Sequence, residues 1–307
     1  MENIQKYIDK HKDRFLEELF ELIRIPSISS DAAHKEDMRR ASEQWKKLLL
    51  DAGADVAEVM DTAGHPVVFA QKQVDDKAPT VLVYGHTDVM PVDPVELWKT
   101  EPFDPVIKDG KIWGRGADDD KGQGFMHVKA FEYMVKTGQL NCNVKFLIEG
   151  EEEIGSPSLA EFCENHKDLL KADVILVSDT TMLAPDVPSI TTGLRGLAYW
   201  QVDVTGPDRD LHSGMFGGAV ANPINVLSRL IGGLIDENGH ITIPGFYDDV
   251  LEVSDKEREL MAMAPFDEEA YKSSIGVEEL QGEKGFSTPE RTGIRIQTIF
   301  LQTVTNA

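Results

Sequence analysis

Cysteine is scarce in this sequence, whose 307 residues include only Cys142 and Cys163. Two cysteines are too few for the disulfide framework of a small secreted domain or for a cysteine-rich zinc site. Long apolar runs are also lacking: no segment reaches the length of a transmembrane helix, and no secretory signal precedes the first polar helix. These absences predict a cytoplasmic protein without a membrane partner.

Basic residues are outnumbered, since 31 Lys and Arg face 54 Asp and Glu, which gives a formal net charge of −23. Nucleic acids and anionic membranes select for basic patches, so we expect neither as a partner. An excess of carboxylates fits a protein that gathers acids around cations, although surface acidity for solubility is the commoner cause. The composition is otherwise that of a globular protein, and the length favours two domains over one.

Hydrophobic spacing predicts an α/β fold for the first part of the chain. Apolar residues recur at helical spacing over residues 4–25, 35–52 and 123–137. Strand-forming runs occupy 56–59, 67–71, 80–84, 144–148 and 174–177, and the last three are expected to be buried. An Asp-Gly turn predicts a hairpin over 106–113, and Ser156 is expected to cap a further helix. This alternation predicts a mostly parallel sheet flanked by helices.

The hydrophobic pattern changes near residue 191. Beyond it the sequence predicts a one-faced strand over 197–204, a helix over 219–235 and short helices over 255–263 and 267–274. We interpret these elements as a second, smaller α+β domain. The predicted domains are therefore 1–191, the α/β domain, and 192–307.

Four positions that follow predicted strands or precede a predicted helix carry metal-binding side chains. They are His86, Asp119 or its neighbours, Glu152 or Glu153, and Asp179. Each has a simpler explanation alone, namely a loop histidine, acids that cap a helix, or a solvated run of glutamates. Ligands of open α/β sheets bind beyond the carboxyl ends of the strands, so the four positions together predict one shared site.

The chemistry of this set indicates a hydrolytic metal centre. One imidazole with three carboxylates suits zinc or manganese, and so oxygen-rich a set is closer to a two-metal site than to a structural zinc site. Two cations bridged by one carboxylate can hold and ionise a water molecule between them. A further carboxylate beside that water would act as general base and then protonate the leaving group. Asp88 can hydrogen-bond the second imidazole nitrogen of His86 and orient the ring.

The motifs around these residues resemble those of a family of metal-dependent peptidases and deacylases. The family includes carnosinases, cytosolic non-specific dipeptidases, glutamate carboxypeptidases, aminoacylases and succinyl-diaminopimelate desuccinylases. The matching motifs lie at residues 85–89, 98–103, 114–122, 149–156, 178–179, 193–196 and 210–214. The resemblance extends over residues 10–295, and the motifs at 98–103 and 210–214 are most similar to the carnosinase and dipeptidase branch.

The resemblance implies the ligands of two divalent metal ions, zinc or manganese. His86, Asp119 and Asp179 would bind one ion. Asp119 would bridge to the second ion, which Glu153 would also hold. Asp88 would orient the imidazole of His86.

The resemblance also implies catalytic roles and a quaternary structure. Glu152 would be the general base, and the peptide bond between Asp119 and Asp120 is expected to be cis. The second domain would be a lid and dimerisation domain of a homodimer. His212 in that domain is expected to reach the other subunit's active site and stabilise the oxyanion.

The match to the family ends before the sequence does. In the family the second metal is also bound by a histidine near the carboxyl terminus, and the corresponding position would lie past Ala307. His240 has the wrong sequence context for that ligand. The run over 296–307 no longer follows the family pattern. We expect a truncated or frame-shifted chain whose second domain is incomplete at the C-terminus.

Three functions are open at this stage. The first is hydrolysis of dipeptides or short peptides by a dinuclear metal centre. The second is deacylation of N-acyl amino acids with the same metals and base. The third is an inactive fragment that lacks the last metal ligand and binds one ion or acts through subunit contacts. Assays on Ala-Xaa dipeptides and N-acetyl amino acids, with a count of bound ions, separate them.

Overall fold

A computed structural model describes residues 2–180, 182, 187, 189–191, 200–294 and 301–302. The chain forms two compact units, Met1–Pro185 and Asp186–Ala307. The predicted boundary after residue 191 borders the segment 192–199, which lies outside the described residues, as does most of the tail at 296–307. The assignment of domains to 1–191 and 192–307 therefore stays a prediction.

The first unit is a sheet flanked by helices. Its helices are α1 (Glu2–Ile23), α2 (Lys35–Ala52), α3 (Lys121–Lys136), α4 (Leu159–Asn165) and α5 (Lys167–Leu170). Its strands are β1 (Val56–Met60), β2 (Val67–Lys72), β3 (Thr80–His86), β4 (Val106–Lys108), β5 (Lys111–Trp113), β6 (Asn143–Glu149) and β7 (Val174–Val177). The main sheet has the order β1-β2-β6-β3-β7, in which β6, β3 and β7 are parallel and the first two strands pair antiparallel. The predicted α/β class is confirmed.

The central strands of this sheet are buried on both faces. The larger core lies around Trp45, Phe131 and Phe146, which come from α2, α3 and β6. The opposite face carries a smaller cluster, formed by Val67, Leu82, Leu147 and Phe162. Strand β7 differs from its prediction, because the side chains of Val174–Val177 are 40–65% exposed. In the described part of the chain β7 is an edge strand that pairs only with β3, so packing does not cover it.

Of two helix ends that sequence signals mark in the first unit, one is confirmed and one is not. Helix α2 ends at Ala52, as predicted, because Gly53 adopts a φ of 114° that L side chains rarely adopt. The predicted cap at Ser156 is wrong: α4 begins only at Leu159, and the φ of Ser156 is 52°. The Ser156 hydroxyl instead donates to the buried carboxylate of Glu149 at 2.9 Å, which needs donors to offset its loss of water.

A buried carboxylate joins α1 to α3. Glu132 is only 3% exposed and accepts hydrogen bonds from Tyr7 Oη at 3.0 Å and Lys129 Nζ at 2.9 Å. Arg14 donates to the same carboxylate, with Nη1 3.2 Å from Oε2. Burial alone would raise the pKa of Glu132, but the hydrogen bonds from Arg14 and Lys129 lower it to about 2.

Glu132→Gln is expected to lower the free energy of unfolding by about 2 kcal/mol at pH 7, because it removes the anion shared by two cations. A carboxyl group with a lowered folded-state pKa stabilises the fold above its unfolded pKa, and this contribution is lost as the pH falls through the folded value. The difference between the wild type and the variant should therefore shrink between about pH 4 and pH 2. Urea denaturation at several pH values measures it.

Glu164→Gln is the matched control. Glu164 pairs with Lys167 three residues on, and both side chains are more than 60% exposed. Exposed pairs of this kind contribute little, so we expect a change below about 0.5 kcal/mol. Equal losses from Glu132→Gln and Glu164→Gln at pH 7 would contradict the assignment of Glu132 as a buried anchor.

The second unit is mainly helical where it is described. Its elements are β8 (Trp200–Gln201), α6 (Ser213–Phe216), α7 (Pro223–Gly232), α8 (Asp255–Ala262), α9 (Glu268–Ile275), α10 (Thr288–Gly293) and β9 (Leu301–Gln302). Strands β8 and β9 pair in parallel. Asn222 Oδ1 accepts from Ile224 N at 2.9 Å at the start of α7, and Ser254 and Glu257 form a capping box on α8. Among the described residues, no helix is both long and apolar enough to cross a bilayer.

His240 lies in a packed turn of the second unit. Its ring stacks on Tyr247 with centroids 4.1 Å apart, and Nδ1 lies 3.0 Å from Glu283 Oε1. These contacts give His240 a local structural role.

Candidate metal centre and active site

Three parallel strands end at the same edge of the main sheet. Strand β3 pairs with β6 up to His86 opposite Glu149, and with β7 up to Tyr84 opposite Val177. The segments that follow these strands therefore lie side by side, where ligands of open α/β sheets bind. The loop before α3 brings Asp119 to the same edge, next to His86.

His86 lies at the centre of this edge. Its side chain is fully buried, with Nε2 3.0 Å from Asp119 Oδ1 and 3.6 Å from Asp179 Oδ2. One ligand atom from each of these three residues lies within 4.8 Å of the other two. Zinc bonds of about 2.0–2.2 Å to nitrogen and oxygen can span such a group. One imidazole and two carboxylates form a donor set that fits zinc or manganese.

The electrostatics of the site also fit a bound cation. Burial alone would lower the pKa of His86, but the hydrogen bond and charge of Asp88, with other acids nearby, raise it to about 10. Burial raises the pKa of Asp179, and the charge of Asp119 raises it further. Carboxylates that repel one another at close range are stabilised when a cation lies among them.

Asp88 connects His86 to the glutamate run. It is fully buried, and His86 Nδ1 lies 3.0 Å from its backbone carbonyl oxygen and 3.3 Å from its Oδ1. Nε2 is therefore left to face the other acids. Its carboxylate accepts a hydrogen bond from Ser29 Oγ at 2.7 Å. It also accepts from the backbone N–H groups of Glu152 at 3.2 Å and Glu153 at 3.0 Å. This arrangement supports the orienting role of Asp88, which stays a prediction.

Two members of the glutamate run are buried and have structural partners. Glu149 is 1% exposed and accepts a hydrogen bond from Tyr84 Oη. Glu151 is 4% exposed and accepts from His65 N at 2.9 Å and Ser158 N at 3.0 Å. The alternative of a solvated run is therefore wrong for these two residues.

The other two glutamates are half-buried near the centre. Glu152 Oε2 lies 4.0 Å from His86 Nε2, and burial raises the pKa of this carboxyl group. Glu153 Oε1 accepts from Met90 N at 3.2 Å, and Glu153 does not join the group of three candidate ligands among the described residues. The general-base role of Glu152 and the ligand role of Glu153 stay predictions.

The buried neighbour of Asp119 fixes the end of β3. Asp120 is 2% exposed, and its Oδ2 accepts a hydrogen bond from His86 N at 2.9 Å. A Cβ at Gly85 would lie 2.6 Å from the same oxygen, so only glycine leaves room for this contact. The peptide bond between Asp119 and Asp120 is cis, as the resemblance predicts.

His212 lies in the second unit. Its side chain is exposed, and Nδ1 accepts a hydrogen bond from Gly214 N at 3.1 Å at the start of α6. This contact does not bear on the predicted oxyanion role, which stays a prediction. The motif at 193–196 lies outside the described residues.

Sequence reasoning missed residues that bond to the candidate ligands and to Asp88. Ser29 was not among the predicted site residues, and Asp120 was one of three adjacent acids without a distinct role. Gly85 carried a usable signal, because a glycine inside an apolar strand often marks a close approach by another group. Ser29 carried none, since its partner Asp88 is 59 residues away in the sequence.

Comparison with known proteins identifies similar sequences. A family model described as Peptidase family M20/M25/M40 matches residues 82–297. The Homo sapiens Beta-Ala-His dipeptidase is 36% identical over 293 residues, which cover 91% of this chain and 58% of that protein. The Schizosaccharomyces pombe Cys-Gly metallodipeptidase is 33% identical over 291 residues, which cover 91% of this chain and 61% of that protein.

Solved structures agree with these matches. Human carnosine dipeptidase 1 has a TM-score of 0.75 at 34% identity, covering 94% of this chain and 63% of that one. An M20 family metallo-carboxypeptidase from Sulfolobus solfataricus has a TM-score of 0.73 at 36% identity, covering 90% of this chain and 61% of that one. The chain thus spans roughly three fifths of the length of these relatives. The family model covers more than half of the chain and confirms the resemblance, so the chain belongs to Peptidase family M20/M25/M40.

Proposed function

We propose that the protein is a metal-dependent hydrolase of the amide bond in dipeptides or short peptides. The observation that carries the proposal is the convergence of His86, Asp119 and Asp179, with a Glu152 oxygen 4.0 Å from the imidazole. The names of two relatives, a Beta-Ala-His dipeptidase and a Cys-Gly metallodipeptidase, support a dipeptide as the substrate.

We infer two divalent ions at this centre, zinc or manganese. His86, Asp119 and Asp179 would hold one of them. Asp119 would share the second with Glu153, whose backbone N–H donates to the same Asp88 carboxylate that faces His86. Oxygen-rich sets of this kind are typical of paired metal sites rather than of structural zinc sites.

The residues of the site would divide the reaction among them. Bound cations would lower the pKa of water and polarise the scissile carbonyl group. Glu152 would take a proton from the attacking water and deliver it to the leaving amine. Asp88 would hold His86 through Nδ1 and hold the Glu152 backbone through its N–H, which keeps base and imidazole at a fixed separation.

The proposal includes a cytoplasmic homodimer. His212 of the second unit would stabilise the oxyanion in the other subunit's site, as a hydrogen-bond donor aimed at the developing charge. The motif at 210–214, which is most similar to the carnosinase and dipeptidase branch, supports the homodimer and the role of His212.

Ala-Xaa dipeptides are the substrates on which we expect turnover when zinc or manganese is added. N-acetyl amino acids are expected to react much more slowly, because the proposed substrate class is a dipeptide. EDTA should abolish hydrolysis, since the water would lose the cations that lower its pKa, and added zinc or manganese should restore it. Chromatographic measurement of released amino acids, with metal counting by mass spectrometry, provides the readout.

Two outcomes would contradict the proposal. Faster turnover of N-acetyl amino acids than of dipeptides would assign a deacylase. No turnover of either substrate, with one ion or none bound per chain, would identify an inactive fragment.

A further inference from the structure

We infer that His127, on α3, is a positioning residue for the ligand Asp179. Its ring does not reach the carboxylate but contacts Ser178, the residue before Asp179. The inference rests on the proposed metal site, in which the contact between His127 and Ser178 would keep the Asp179 carboxylate within reach of the cation.

Asp179 lies beyond the end of its strand. The pairing of β7 with β3 ends at Val177 opposite Tyr84, two residues before the ligand. In the described part of the chain β7 is an edge of the main sheet, and its four side chains are at least 40% exposed. Within the described residues, neither strand pairing nor core packing accounts for the placement of the Asp179 carboxylate.

Two side chains of α3 bond the residues on either side of Asp179. His127 Nε2 lies 2.6 Å from Ser178 Oγ, and Thr180 N donates to Gln123 Oε1 at 3.2 Å. Residues four apart lie on the same face of a helix, so Gln123 and His127 hold positions 178 and 180 together. The residue between them is the one whose Oδ2 lies 3.6 Å from His86 Nε2.

Helix α3 is itself firmly placed. Lys121 in its first turn is fully buried, and its Nζ donates to the carbonyl oxygens of Leu22 at 3.0 Å and Ile25 at 2.7 Å. The helix begins two residues after Asp119. Helix α3 therefore begins just after Asp119 and, through Gln123 and His127, holds the residues on either side of Asp179. In this way it sets the separation of the two carboxylates.

Binding of Co²⁺ alone tests the inference, because the visible absorption of bound Co²⁺ reports the geometry of its ligands. His127→Phe keeps an aromatic ring without a nitrogen, and Ser178→Ala removes the hydroxyl group. Each is expected to weaken Co²⁺ binding about tenfold and to change the spectrum. The double variant should lose about the same tenfold, because both changes remove one hydrogen bond. His127→Gln, whose amide can reach Ser178, should bind within about threefold of the wild type.

His166→Gln is the matched control. This half-buried histidine packs against Phe162 with ring centroids 4.4 Å apart and is not among the described ligands. We expect unchanged Co²⁺ affinity. Thermal unfolding without metal checks that each variant is folded. If His127→Phe does not fold, the Co²⁺ affinity of Ser178→Ala tests the inference instead.

Several outcomes would overturn the inference. Unchanged affinity and spectrum in folded His127→Phe or Ser178→Ala would do so, as would a loss in His127→Phe that His127→Gln does not restore. If the wild type binds no Co²⁺, the proposed metal site fails and the inference with it. If the wild type binds Co²⁺ and neither variant changes that binding, the proposed metal site stands and only the positioning role of His127 is rejected.

Discussion

Replacing Glu152 with glutamine is expected to lower kcat for dipeptide hydrolysis by about 10³-fold, because the amide cannot accept the proton of the attacking water. Positioned general bases contribute about 10²–10⁴-fold, and the expected loss lies in the middle of this range. Glu152 is held through its backbone by Asp88, and its carboxylate lies 4.0 Å from His86 Nε2. Initial rates on Ala-Xaa dipeptides at saturating substrate measure the effect.

The glutamine variant should retain its metal ions, since the three grouped ligands are unchanged. Metal counting on the same preparation therefore separates loss of the base from loss of the site. Glu161→Gln is the matched control, because Glu161 is an exposed residue of α4, and its rate should equal that of the wild type. Equal rates for wild type and Glu152→Gln would remove Glu152 from its proposed role.

Asp119→Ala is expected to weaken cation binding by more than about a hundredfold. Loss of an outer partner of a metal ligand costs about 10–100-fold, and loss of a ligand itself should exceed that. Asp119 Oδ1 lies 3.0 Å from His86 Nε2, and it is the residue proposed to be shared by both ions, so both sites should weaken. Competition with a chromogenic zinc chelator measures the affinity.

Asp118→Ala is the control for this prediction. Asp118 is exposed, as is Asp119 beside it, but it is not one of the three candidate ligands grouped among the described residues. Its removal changes the net charge by the same amount and should alter zinc affinity less than about threefold, because an exposed charge that does not coordinate the ion acts on it only through water. If Asp118→Ala and Asp119→Ala weaken zinc binding by similar factors, the cation is attracted by the overall negative charge of the loop and Asp119 is not a specific ligand.

Much of the fold followed from local pattern. The apolar run before His86 predicted β3, and the runs before Glu149 and Asp179 predicted β6 and β7, each within two residues of the observed bounds. Strand-forming side chains and helical spacing act over a few residues, so sequence shows them directly. The order of the strands along the sheet depends on long-range pairing, and the exposure of β7 depends on which segments cover it. The local sequence pattern therefore predicts neither the strand order nor the exposure of β7.

The candidate ligands were predictable from the sequence, but the hydrogen bonds around them were not. His86 and Asp179 could be found because each follows a strand, and the resemblance selected Asp119 among three adjacent acids. The supporting hydrogen bonds join residues far apart in the sequence, as between Ser29 and Asp88 or between His127 and Ser178. Polar side chains in loops follow no periodic pattern, so the neighbouring sequence does not indicate which distant residue they contact.

The glutamate run has a consequence for how this segment can change. Glu149 bonds Tyr84, Glu151 bonds the backbone at His65, and Glu152 faces the imidazole of His86. Charge counting would rate these acids as redundant. Each has different surroundings, however, so an insertion or deletion of one residue after Glu149 would move Glu151 and Glu152 away from their partners while leaving the charge nearly constant. The length of this segment is therefore constrained as tightly as its composition.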